Sequence, residues 1–201
     1  EVLEKVKGKP EERVVSNLIL RTLKVARYEA ENKGHFGIAS KYYCHFTSPI
    51  RRYPDLFIHR IISKYLEENY QLKENEIEKY SSQAVKYAER SSEREKIAQK
   101  VERDADAIKK AEYMQSKIGE EYEGIISSIT SFGMFVELPN TVEGLIRFDD
   151  LGNEYFIYDE EKKTLQGEKS KKIYKIGDSI KVRVIFADKL TRKVDFEKIS
   201  G

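Results

Sequence analysis

"GEEYEGIISSITSFGMFVELPNTVEGLIRF" (residues 119–148) is where the grammar of the chain changes. β-Branched and aromatic residues fall between Gly, Pro and Asn punctuation, the pattern of short strands joined by tight turns. Two further strand-like runs follow, "SIKVRVIFAD" (179–188) and "KVDFEKI" (193–199). About five short strands in some 80 residues match the size and order of an OB-type barrel. Between the third and fourth strands lies a polar stretch, 149–175, carrying Tyr155, Phe156 and Tyr158, which reads as a long insert.

Upstream of residue 119 the period is helical. Pro10 with Glu11 and Glu12 suits a helix start, since proline needs no N–H there and acids favour the positive end of the dipole. Val14, Val15, Leu18, Ile19 and Leu23 then repeat at helical spacing up to "NKG" (32–34), which reads as a stop. Pro49 is expected to open a second helix whose apolar face holds Ile58, Ile61, Ile62 and Tyr65, or, since Pro54 would kink such a helix, to leave its start to Tyr53. From Glu74 to about Ile118 there is no Gly or Pro, and Ser91-Ser92 followed by Glu95 predicts a break with a new capping box. The fold class is therefore α+β in two parts: a mainly helical domain over 1–118 and a five-stranded OB-type barrel over 119–201.

Charge narrows the partners. The formal net charge is only +2, but residues 1–118 carry 24 Lys and Arg against 19 Asp and Glu, while 119–201 carry 13 against 16. Bulk charge announces no polyanion partner, so any basic surface must be local. The single cysteine, Cys44, excludes an internal disulfide and fits a cytoplasmic setting. Its aromatic neighbours predict a buried, inert thiol. No run is long and apolar enough to span a membrane, and the acidic amphipathic start does not read as a signal peptide.

"YCHFTSPIRRYPDLFIHR" (43–60) gathers two of the three histidines with adjacent arginines and two prolines. It reads as an anion site, a metal site or a capped helix. The anion reading is physical: Ser48 can cap, Pro49 suits the first helical position, and exposed N–H groups beside Arg51 and Arg52 make a phosphate clamp. Asp55 sits within reach of an arginine as support, and so does His59. His45 and His59 lie fourteen apart across a proline turn with no second ligand cluster, so no metal site is expected. Asp104 and Asp106 read as solvated helix charges.

In the second half, Ser131-Phe132-Gly133-x-Phe135-Val136 followed by Glu143-Gly144-Leu145-Ile146 resembles the S1 RNA-binding domain. The resemblance implies that Phe132 and Phe135 stack on bases, with Gly133 allowing both rings to face one surface; a small barrel could instead use either ring as core. The family commonly places a histidine where this chain has Arg147, which can stack and also hold a phosphate. Lys181 and Arg183 are placed to flank the groove.

The first half, through "GHFGIASKYYCHFTSPIRRYPDLFIHR" (34–60), with an S1 domain directly behind it, resembles the ribonuclease II/ribonuclease R family near the end of its RNB catalytic domain; the junction "YMQSKIGEEYEGIISSITSFGMFVEL" (113–138) and the insert before "YKIGDSIKVRV" (174–184) look most like the ribonuclease R branch. The family implies processive 3′→5′ hydrolysis of single-stranded RNA to nucleoside monophosphates, with Mg²⁺ held by an aspartate cluster. No aspartate-dense run stands here, so the chain is expected to be a carboxy-terminal fragment that holds no Mg²⁺ itself, binds RNA and is inactive alone. The resemblance makes Arg51 the catalytic arginine and Glu93 a position lining the RNA path, though Glu93 reads equally as a solvated helix charge; beside them Ser48 is read as an RNA contact and Arg52 as an RNA or structural contact. It implies no membrane and no small-molecule cofactor. Two other readings stay open: a non-catalytic single-stranded RNA-binding or adaptor protein, and a structural helical domain with a protein-binding barrel.

Overall fold

The computed structural model describes residues 2–8, 12–23, 25–152 and 154–199. The chain folds as two compact units, Val25–Val101 and the remainder (Glu1–Lys24 with Glu102–Gly201). Among the described residues no helix is long and apolar enough to cross a membrane.

Two helices open the chain, α1 (Val2–Val6) and α2 (Glu12–Thr22). The Gly8 N–H donates to the Glu12 carboxylate at 2.6 Å. Pro10 and Glu11, expected to start the first long helix, lie outside the described residues, as do the side chains of Val14 and Leu18. The helix ends at Thr22, ten residues before the predicted "NKG" stop.

In the unit 25–101, the segment around Tyr28 is extended, because its backbone N–H and C=O both engage the Ser92 hydroxyl, at 3.0 and 3.3 Å. Gly34 sits at φ +69°, where an added Cβ would come within 2.8 Å of the Ser40 carbonyl oxygen. Helix α3 (Tyr53–Glu67) takes the later of the two expected starts, with Pro54 in its first turn. Residues 48–52 form a turn instead, the N–H groups of Arg51 and Arg52 both reaching the Ser48 carbonyl. The buried contact of α3 is also different: Phe57, rather than the isoleucines, packs edge-on against Tyr80 and Tyr87. These tyrosines, two helical turns apart, lie on one face of helix α4 (Glu74–Gln115). Helix α4 runs 42 residues without the break predicted at Ser91-Ser92. Ser92 faces the Tyr28 backbone instead of capping a new helix.

The second unit contains a closed barrel in the order β1-β2-β3-β8-β7. Its strands are β1 (Glu121–Thr130), β2 (Gly133–Glu137), β3 (Glu143–Arg147), β7 (Ser179–Asp188) and β8 (Lys193–Lys198). All pairings are antiparallel except β3 with β8, which closes the barrel in parallel through Leu145 opposite Asp195. Ile126, Met134, Val136, Ile146, Val182, Val184 and Phe196 fill the interior. Gly144 admits the Phe196 ring, which meets the place a Cβ would occupy. The fully buried Ala111 and Met114 of α4 join this core, and Lys110 Nζ donates to the Thr141 carbonyl at 2.8 Å.

The stretch read as a polar insert is a folded element. It forms β4 (Phe156–Asp159), β5 (Thr164–Gly167) and β6 (Ile173–Lys175), a three-stranded sheet. Phe156, Leu165 and Tyr174 turn inward onto the barrel core, and the lysines and glutamates that made the stretch read as loop belong to its wet side.

Candidate nucleic-acid interface

The unit 25–101 encloses a cleft of about 720 Å³. One wall comes from the 48–54 turn: Arg51, Arg52, Tyr53 and Pro54, with Tyr28 beside them. The other is a face of α4: Lys86, Tyr87, Arg90, Ser91, Arg94, Glu95 and Ala98, spaced three and four apart.

The two arginines divide their work. Arg52, with its side chain 17% exposed, donates to Asp55 Oδ2 at 2.8 Å, and Asp55 is wholly buried. The same oxygen accepts the Ser48 N–H at 2.8 Å. Burial alone would push the Asp55 carboxyl up; the Ser48 N–H and the Arg52 guanidinium outweigh it and hold the group below the ordinary carboxylate range. Asp55 thus orients Arg52, not Arg51, and ties the turn to the start of α3. The Arg51 side chain is exposed at the cleft with no hydrogen-bond or ion-pair partner among the described residues. Ser48 contributes backbone groups; its hydroxyl makes no cap, and the capping position of α3 is Arg52. Glu93 is exposed and outside the cleft lining, where Glu95 stands instead.

Histidines serve this scaffold. His59 Nε2 lies 2.8 Å from the Phe46 carbonyl oxygen, and its ring stacks on Phe46 at 4.1 Å. His45 sits edge-on to Tyr28 and Tyr43; burial, then Arg52, lowers its pKa. Tyr28 is pushed up by burial and by Glu95. Cys44 is exposed, against the expectation that its aromatic neighbours would cover it. They pair with the histidines instead. Among the described residues no three His, Cys, Asp or Glu side chains converge as metal ligands; Asp104 pairs with Arg192 at 2.6 Å.

On the barrel, Phe132 is 57% exposed and Phe135 half-buried, and their rings meet edge to face at 6.2 Å. Neither belongs to the interior. Gly133 is required by close approach, since a Cβ there would strike the Ile146 carbonyl. Register carries the surface further: Ser128, Phe135, Leu145, Asp195 and Phe186 are successive cross-strand partners from β1 to β7. Phe186 is 43% exposed, so a third ring shares this outer face. Arg147 flanks the row and reaches Asp195 at 3.3 Å. Lys181 is exposed opposite Glu123 on β1. Arg183 is held between Glu121 and Glu197, at 2.6 and 2.9 Å.

Sequence reading missed Tyr28, Lys86, Tyr87, Arg90, Arg94 and Glu95 in the cleft, and Phe186 on the barrel. The four-residue spacing of the α4 cations was a usable signal. Phe186 was not, because only the β3–β8 closure brings the β7–β8 hairpin beside Leu145 and Phe135.

Comparison with known proteins finds two family matches. Residues 1–68 match the RNB domain and 115–199 the S1 RNA binding domain. Ribonuclease R 1 of Lactococcus lactis is 48% identical over 97% of this chain. The chain belongs to the ribonuclease R family. The Thermotoga maritima ribonuclease R is 44% identical over 97% of the chain. The chain spans 24% and 28% of these two relatives. Among solved structures, the apo form of Mycoplasma genitalium RNase R aligns over 98% of this chain and 31% of its own, at 35% identity and a TM-score of 0.88. The same enzyme in complex with ribose-methylated single-stranded RNA gives the same identity, coverage and score.

Proposed function

We propose that this chain is the RNA-gripping end of a 3′→5′ exoribonuclease that hydrolyses single-stranded RNA to nucleoside 5′-monophosphates. The observation that carries the reading is Arg51: an unpartnered guanidinium in a cleft whose turn is fixed by the buried Arg52–Asp55 pair, in a chain whose RNB and S1 modules follow the ribonuclease R order. A free guanidinium can grip a phosphate through two parallel N–H donors and offset charge that develops in the transition state. Arg52 holds the turn and adds positive potential. The barrel row with Phe132 and Phe135 stacks successive bases and keeps the strand from leaving. An RNA substrate and a lone cysteine fit the cytoplasm.

Mg²⁺ is proposed for the whole enzyme only. Among the described residues no cluster of carboxylates fits it: Asp55 is enclosed and committed to Arg52, and Asp104 to Arg192. No step here is derived through the metal. The chain alone should release no monophosphates from 3′-labelled RNA with Mg²⁺; steady release would overturn that part of the reading. A non-catalytic RNA-binding role is favoured by one observation, the ring-lined barrel face, which needs no reacting group to act. The Arg51→Ala enzyme separates the two, since only the nuclease reading predicts a loss of turnover.

A further inference from the structure

The cleft's α4 wall has a property that the Arg51 reading does not use. Lys86, Arg90 and Arg94 stand at four-residue steps, all exposed to the cleft. Each step advances about 6 Å along the helix axis, close to the repeat of an extended nucleic-acid backbone. None of the three side chains has a hydrogen-bond or ion-pair partner among the described residues. Glu89 and Glu93, interleaved with them in sequence, stay outside the cleft lining, and Glu95 is the one acid on that wall. Tyr87 lies on the same face, edge-on to Tyr53 across the cleft. Like charges kept unpaired and in line raise the free energy of the empty cleft, and a polyanion lowers it.

We propose that Lys86, Arg90 and Arg94 form a phosphate track that holds three successive backbone phosphates of one RNA strand, one per helical turn. The track rests on the reading that this cleft takes RNA, and extends it from a single arginine to a run of the strand. Point contacts of this kind read no sequence, so the track sets grip and register on the backbone, not base preference.

The test is the salt dependence of binding. Anisotropy of a 5′-fluorescein oligouridylate is followed against the 201-residue chain over a salt series. Each lost phosphate contact on a single strand lowers the slope of log K against log salt by about 0.7. The triple variant Lys86→Gln, Arg90→Gln, Arg94→Gln should therefore lose roughly 2 units of slope. Arg90→Lys with Arg94→Lys should keep the slope, and circular dichroism should show α4 intact in both. An unchanged slope in the triple variant, or no binding by the parent chain, would overturn the track. Failure of the nuclease reading looks different: in the full-length enzyme Arg51→Ala would leave turnover intact while the slope change persisted.

Discussion

On the barrel the arginines of the strands face carboxylates. Arg147 meets Asp195, and Arg183 is clasped by Glu121 and Glu197. In the cleft of residues 25–101, Arg51, Lys86, Arg90 and Arg94 face no carboxylate partner among the described residues, and only Arg52 is paired. The barrel strands pair their arginines and expose rings; the cleft leaves cations unpaired among the described residues. The proposed function therefore assigns phosphate recognition to the cleft and base stacking to the barrel. Net charge per half pointed the same way, but only the pairing shows which cations are available to a ligand.

The largest contrast should appear in stability. Asp55→Ala leaves the Arg52 guanidinium largely buried and unpaired, which costs about 3–5 kcal/mol. Asp195→Ala leaves its partner, the half-exposed Arg147, free to hydrate, with a cost within about 1 kcal/mol. Urea unfolding of the two variants measures the difference, and equal midpoints would show that the cleft pair is no more structural than the barrel pair.

Next comes stacking. Phe132→Ala and Phe135→Ala should each lose roughly 1–3 kcal/mol of single-stranded RNA affinity with an unchanged salt slope, because rings release no counterions. Titration of oligonucleotide at two salt concentrations checks this; a fall in slope would move phosphate contacts onto the barrel.

A smaller effect follows from the Asp55 carboxyl, which is held below its ordinary pKa in the folded state. Its contribution to stability is complete above the unfolded carboxyl pKa of about 3.9 and is lost as pH falls below it. Asp55→Asn should flatten that acid limb in a pH series of urea midpoints, and an acid limb as steep as that of the unmodified chain would show that other groups govern it. Smallest is Arg183→Ala, which should leave RNA affinity nearly unchanged, since its two glutamates already occupy it; a clear loss of anisotropy signal would put Arg183 in contact with the strand.

The barrel was legible because its signals are local. Phe132, Gly133 and Phe135 fix a turn and two outward rings within four residues, and the structure keeps them off the core. The insert was not legible, since its strands are three and four residues long and each turns only one or two side chains inward. The cleft was half legible. "SPIRR" announced an anion site, but the helix starts at Tyr53 because residues 48–52 turn back on the Ser48 carbonyl. In that turn Arg52 takes Asp55, and Arg51 is left without a partner among the described residues. Ser92 misled for a related reason: its partner, the Tyr28 backbone, lies 64 residues away, beyond the reach of any local pattern. On α4, Glu95 lines the cleft and Glu93 does not, because two positions decide which side of a helix a charge faces.

The most direct measurement of the central claim is single-turnover hydrolysis beside equilibrium RNA binding for Arg51→Ala in the full-length enzyme. The account predicts a large fall in turnover with affinity nearly kept, because the rest of the strand is held elsewhere. Equal losses in both, or unchanged turnover, would contradict it.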